Sequence, residues 1–576
     1  MRGRYLALLG GNRDQRQGIA RSASRAALVV VREDQDLLVL AEPAVTVVDL
    51  GQTGLLIGDL FSAGGTALLG QVDAAACAAI TRSRGVHLVE AYWGAYVAFL
   101  AGQAPGVVDV VRAPLGRLPC LFTSHSGMTA IASDVAMLMT YELVTPRVDW
   151  GALARHLLAG ELRRDETCLA GVRELRGGER LQVVDATPSA SALWSPWRYA
   201  GSDHRLDDPR EAAGQVRDVA RRCIAARVPI SSRSLVLLSG GLDSSIVAAC
   251  LAHAGRDFTC LNVVTSNPTG DERLEAGKVA ARLGRRIVER SRQVANVDLR
   301  RSSAATLPRP VARSFEQDSL ALARAAAMET GAALIIDGGG GDNVFCSLQS
   351  AAPAADCLLV RDAHRRFWKT AREIGRLADT NLWTVAQRAW VRSRRKDRSY
   401  RWPADRRFLA RGVAEGDQAY ASQLWLKAPA DALPGKAAHI AMLAAAQGLV
   451  EDGDFQTSFP VLVAQPLVET CLRIPSWLWF DRSCNRAVAR YAFAPELPAE
   501  IAWRRTKGTP DSFVVELFEA NRCSIAALLL DGTMAAHGLL DLAAIKAVLD
   551  DPRPTMGHDY VRIMQLVDAE VWARGW

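Results

Sequence analysis

The chain has 576 residues, more than one ordinary domain, so two or three are expected. Hydrophobic residues make up 49% and charged residues 23%, the balance of a soluble globular protein, and no run approaches the roughly 18 apolar residues of a membrane span. The net charge of +7 is modest for this length and does not indicate nucleic acid. Eleven cysteines, an odd number with no C-x-x-C pair, fit neither a zinc site nor a disulfide framework. Residues 1–9 hold too short an apolar core for a secretory signal, so the expected compartment is a reducing cytoplasm.

Residues 1–200 read as short strands and turns with few long helical patterns, for example 27–31, 37–40, 55–58, 95–100 and 107–111. That pattern predicts a β-rich sandwich. Around 186–208 the text turns Pro-, Ser-, Asp- and Arg-rich, which marks a boundary before a second domain at 205–576.

In that second domain helical and apolar strand patterns alternate. A helix over 208–226 leads to a strand at 235–238, a helix from Ile246, a strand at 258–264 and a helix over 271–283 that Gly284 can stop. A further helix at 318–330 feeds a strand at 333–336. Such alternation predicts a doubly wound parallel sheet covered on both faces, with ligands at the carboxyl ends of its strands.

Two glycine loops sit at those ends. The first is Ser239-Gly240-Gly241-Leu242-Asp243-Ser244-Ser245. Its glycines let the backbone turn sharply, and the helix start offers unpaired N–H donors and a positive dipole end to an anion. The serines can cap the helix or donate to phosphate oxygens, and Asp243 supplies a hard oxygen for Mg²⁺. The second loop is Gly338-Gly339-Gly340-Gly341-Asp342-Asn343, where Asp342 can complete a Mg²⁺ site with Asp243. Read as structure alone, the first is a capped turn and the second a flexible loop. A third feature, Trp503-Arg504-Arg505-Thr506-Lys507-Gly508, is a basic loop. Residues 391–411 carry nine Lys or Arg against Asp397 and Asp405, with Tyr400 and Trp402 interspersed, and read as a solvated, partly disordered arm. Trp477 and Trp479 fit either a core or a peptide-facing surface.

The wording of the first loop resembles the pyrophosphate loop of the N-type ATP pyrophosphatases. That resemblance implies ATP cleaved between its α- and β-phosphates, Mg²⁺, and nucleotide contacts from Ser239 to Ser245, Gly338, Gly339 and Gly340, with Leu237 and Val263 at the neighbouring strand ends. The phrases Trp93-Gly94-Ala95-Tyr96, Arg112-Ala113-Pro114-Leu115-Gly116-Arg117 and Trp194-Ser195-Pro196-Trp197 are similar to the glutaminase half of asparagine synthetase, which implies an Ntn-hydrolase-like fold. That family's nucleophile is an N-terminal cysteine; here Arg2 stands there, and the glycine–asparagine oxyanion signature is replaced by Leu56-Ile57-Gly58-Asp59-Leu60. The domain is therefore expected to be inactive on glutamine, kept either to cover its neighbour or as a docking surface. Leu497-Pro498-Ala499-Glu500-Ile501 followed by the basic loop matches the family's closing segment and places Lys507 on the catalytic lysine, with Arg490 orienting substrate. Gly339 stands where asparagine synthetases have glutamate and β-lactam synthetases tyrosine, so a proton-abstracting group of that kind is missing.

Within the superfamily the chain looks most like the lasso-peptide macrolactam synthetases. The features are the missing cysteine, the Gly338–Cys346 wording, Pro353-Ala354-Ala355-Asp356, and the run from Gln465 to Pro475. The resemblance implies a leaderless core peptide as substrate, a leader peptidase and a leader-binding protein as partners, and no membrane or nucleic acid. The alternatives are an ammonia-dependent or β-lactam-type amide ligase on a small acid and, from the basic arm alone, a tRNA-modifying enzyme.

Overall fold

A computed structural model describes residues 3–576 apart from 103, 105, 185–186, 266–269, 414–422, 452–458, 506–510 and 554–556. Two six-stranded antiparallel sheets form the amino-terminal part. The first runs, edge to edge, Arg173–Glu174, Leu121–His125, Met128–Ala132, Tyr5–Gly10, Leu37–Ala41, Val29–Glu33. The second runs Thr187–Ala192, Glu179–Val184, Val108–Arg112, Tyr92–Ala101, Gly54–Ser62, Val47–Asp49. Side chains alternate across a strand, so Tyr5, Ala7 and Leu9 enter the core between the sheets with Leu55, Ile57, Val97 and Phe99. The residues between them are apolar too, which is why both sheets are covered outside.

Leu6 and Leu8 pack outward against the closing helices, through Leu517, Phe518, Ile563 and Trp572. Leu56, Leu60, Tyr96 and Ala98 pack outward into the core that continues through the helix Pro209–Arg227. The sandwich is thus gripped between two parts of the carboxyl-terminal half. Its polar seams include Trp194 Nε1 donating to Glu469 at 2.8 Å and Gln465 Nε2 donating to the Val89 carbonyl at 2.7 Å.

The remaining sheet has five parallel strands, ordered Ile287–Ser291, Phe258–Val264, Ser234–Leu237, Leu334–Asp337, Phe459–Pro460. Leu235, Leu261 and Ile335 face the helix Gln317–Thr330 through Ala323, Ala326 and Ala327. Val236, Cys260 and Ile336 face the opposite layer, where Ile246 and Val247 of the helix Leu242–His253 pack. The chain builds outward from Ser234–Leu237 to one edge and then returns to fill the other side. The order therefore reverses between Ser234–Leu237 and Leu334–Asp337, and a crevice opens at their carboxyl ends.

Two expectations change in detail. The strand read at 27–31 lies at Val29–Glu33. The basic arm is strapped down rather than loose: Trp402 Nε1 donates to the Ala159 carbonyl at 2.7 Å and Arg398 to the Ala432 carbonyl at 3.1 Å. Trp477 and Trp479 are buried, which makes them core.

Candidate active site

Both glycine loops leave the two strands that flank the crevice. Gly240 has a φ of 69°, and a Cβ there would stand 2.5 Å from Glu275 Cβ and 2.7 Å from the Ala276 amide nitrogen. Only glycine fits that turn. Gly241 then caps the helix Leu242–His253. The serines bond within the turn: Ser245 Oγ donates to the Gly241 carbonyl at 2.7 Å, and the Ser239 and Ser244 hydroxyls stand 3.3 Å apart. Leu237 and Val263, half-buried at adjacent strand ends, form an apolar wall beside them.

The second loop is rich in glycine because it touches the first. A Cβ on Gly338 would lie 2.5 Å from the Ser244 nitrogen, and one on Gly341 2.5 Å from Asp243 Cγ. Gly339 donates its N–H to Asp337 at 2.6 Å, and Gly340 has a φ of 75°. The loop's far side is anchored by Asn343 Nδ2 donating to the Met442 carbonyl at 2.6 Å and by His439 against the Asn343 and Val344 carbonyls.

This interlock brings the predicted pair together. Asp243 and Asp342 meet at one atom, Arg486 Nη1, which lies 2.8 Å from Asp243 Oδ2 and 2.5 Å from Asp342 Oδ1. The two carboxylates therefore converge on a single cationic point, and hard oxygens so arranged suit Mg²⁺, which takes one or two carboxylates and completes its shell with substrate phosphates and water. Among the described residues no three His, Cys, Asp or Glu side chains gather around a metal. Arg486 escaped the sequence reading. No local pattern marks it, since it is the left-handed residue just before the helix Ala487–Phe493.

Arg490 is placed differently from its expected role. Its buried guanidinium donates to the Asn485 carbonyl at 2.8 Å and the Ala502 carbonyl at 2.7 Å, tying the helix Ala487–Phe493 to Ala499–Ala502. Burial lowers its pKa, partly opposed by Cys484, Asp243 and Asp342. Lys507 lies outside the described residues, as does Arg2. The segment leading to Lys507 is held at the first loop, because Arg504 Nη1 donates to Glu272 at 3.0 Å and to the Gly240 carbonyl at 3.4 Å.

A cavity of about 430 Å³ lies between the end of the helix Trp150–Ala159 and the carboxyl-terminal half, lined among others by His156, Arg309, Arg313, Glu316, Trp402 and Leu449. Leu449 Cδ1 stands 3.7 Å from the Cβ position of Gly340, so the cavity abuts the second loop. Burial raises the Glu316 pKa, with Asp337 adding to it. Burial, then Arg309, Arg313, Arg163 and Arg562, holds His156 down to about 3, leaving a neutral imidazole among cations.

An antiparallel two-sheet sandwich is thus joined to an α/β domain whose parallel sheet carries two interlocked glycine loops at its carboxyl edge. Residues 215–574 match the model of the asparagine synthase family and 58–194 that of a glutamine amidotransferase domain. The chain belongs to the asparagine synthase family, whose members use ATP. It is 32% identical over 117 residues to a carboxyethyl-arginine beta-lactam-synthase of Streptomyces clavuligerus, 20% of this chain and 22% of that protein. The chain thus matches about a fifth of that relative's length. Among solved structures, an allosteric regulatory enzyme of purine biosynthesis is 8% identical, with 50% of this chain and 80% of the other covered at a TM-score of 0.22. The glutamine phosphoribosylpyrophosphate amidotransferase from B. subtilis, complexed with ADP and GMP, is 9% identical over 58% and 90%, also at 0.22. At that score the fold is read from the strands themselves.

Proposed function

We propose that the chain is an ATP-dependent amide-forming ligase and, within that class, a lasso-peptide macrolactam synthetase. It adenylates an Asp or Glu side chain of a leaderless core peptide, and the peptide's N-terminal amine then closes an isopeptide ring, with AMP and pyrophosphate as products. The observation that carries the reading is the convergence of Asp243 and Asp342 between interlocked glycine loops, next to a cavity at the domain junction. The N–H groups that open the helix Leu242–His253, with Ser239 and Ser244, offer donors to phosphate oxygens. Asp243 and Asp342 would hold Mg²⁺, which supplies neutralising charge to those oxygens when bound.

Lys507 is assigned to the charge that develops on the α-phosphate and then on the tetrahedral oxyanion. An N-terminal amine has a pKa of about 7.7–8.0, so part of it is neutral near pH 7 and a strong base is dispensable. Holding a flexible peptide with one end at its own side chain is the larger task, and positioning of that kind contributes up to about 7–11 kcal/mol. The helix Trp150–Ala159 and the residues after it supply one wall of the cavity, and the cysteines of this half are held as thiols: burial raises Cys77 and pushes Cys120 and Cys168 up to about 12. A leader peptidase and a leader-binding protein are the partners this reading requires.

The 117-residue match supports a second reading, a β-lactam-type or ammonia-dependent ligase acting on one small acid. Purified protein with ATP, Mg²⁺ and leaderless peptide should yield AMP, pyrophosphate and a product one water lighter than the peptide. Formation of ADP would contradict the ligase reading, and ammonium-driven amidation of a free amino acid would favour the second.

A further inference from the structure

The cation shared by the two aspartates belongs to the chain, and the proposed reaction gives it no part. Arg486 is held in an unusual way. Its φ is 55°, and Arg482 and Ser483 just before it are also left-handed, at 51° and 57°. Non-glycine residues keep such conformations where their surroundings enforce them. Here the turn is fixed from several sides: Ser483 donates its N–H to buried Glu373, Asn485 Nδ2 donates to Ser347 Oγ at 2.9 Å, and Asp481 and Cys484 exchange backbone bonds at 3.2 and 2.9 Å. The chain thereby aims one guanidinium at the point where the two carboxylates meet.

A monovalent cation at that point neutralises one of two neighbouring negative charges. A divalent ion at the same point neutralises both, and the two cations cannot share it. We propose that Arg486 is a resident counter-ion that occupies the metal position in the nucleotide-free protein and is exchanged for Mg²⁺ when nucleotide enters. The exchange makes loading ordered. Free metal competes with a tethered guanidinium and loads poorly, whereas metal arriving on a polyphosphate brings ligands of its own. The inference rests on the assignment of Asp243 and Asp342 to the metal and is independent of the acceptor.

Titration of the full-length protein with Mn²⁺, without nucleotide and followed by electron paramagnetic resonance, tests it. Arg486→Gln should bind Mn²⁺ at least tenfold more tightly than wild type. Arg486→Lys should stay as weak as wild type, and adding Asp342→Asn to Arg486→Gln should abolish the gain. Thermal melts establish that each variant is folded, and Arg486→Met replaces Arg486→Gln if the latter is not. Mn²⁺ affinity that is unchanged or weaker without the arginine overturns the proposal. AMP and pyrophosphate formation by wild-type protein reports separately on the ligase reading, so the two failures are distinguishable.

Discussion

The sandwich and the crevice handle charge in opposite ways. In the sandwich, Glu174 takes Arg112 at 2.9 Å and Arg163 at 3.5 Å, with Arg309 reaching in from the other domain, and these side chains are only 0–3% exposed. Burial works to raise the Glu174 carboxyl, but Arg163, Arg309 and Arg112 outweigh it and hold it well below the usual range. In the crevice, Arg486 and Asp243 are part-buried while Asp342 remains 48% exposed. The first arrangement closes on itself and holds two domains together. The second is open on one side, and an open, part-desolvated set of charges beside a cavity is where a ligand is handled.

The contrast can be broken at four points. The largest effect is expected from Glu174→Gln, which strips the shared carboxylate from three buried arginines and should cost about 3–5 kcal/mol by denaturant unfolding. Lys507→Ala should do the reverse: an on the order of 10²–10³ drop in kcat with an unchanged melting temperature. Gly338→Ala pushes a methyl group into the Ser244 backbone at 2.5 Å, and the displaced loop should slow ATP–pyrophosphate exchange by about 10². Gly127→Ala, at a φ of 75° with nothing within 4 Å, should leave exchange untouched and cost only about 1 kcal/mol of stability.

The smallest effect is a pH dependence. Burial pushes Asp568 up to about 7, with Arg313 opposing, where it accepts from the Ser314 N–H at 3.0 Å. A carboxyl raised in the folded state favours folding while protonated, so its contribution is complete below pH about 4 and is lost as pH rises toward 7. Asp568→Asn should therefore raise the melting temperature by a few degrees at pH 8 and by almost nothing at pH 4. An equal shift at both values would mean that titration is not involved.

What the sequence showed and hid follows from range. A strand, a glycine turn and a helix start are local, so both loops, their aspartates and the parallel sheet were legible before any coordinates. The succession of short strand and turn patterns over residues 1–200 likewise disclosed the sandwich. Contacts from afar were hidden. Arg486 reaches Asp243 across 243 residues, and nothing near either names the other. Arg490 was read as facing substrate because a basic residue on a motif helix looks available, yet two backbone carbonyls claim it. The arm at 391–411 looked solvated because it is dense in charge, while bonds from Trp402 to the Ala159 carbonyl and from Arg398 to the Ala432 carbonyl fix its course.

The central claim is that the carboxyl edge of the five-stranded sheet transfers AMP to a carboxylate. Incubating the protein with ATP, Mg²⁺ and a core peptide whose acceptor carboxylate carries oxygen-18 tests it directly by mass spectrometry of the nucleotide. Label recovered in AMP is the predicted result. Unlabelled AMP alongside ring-closed peptide, or label recovered in inorganic phosphate with ADP, would contradict it.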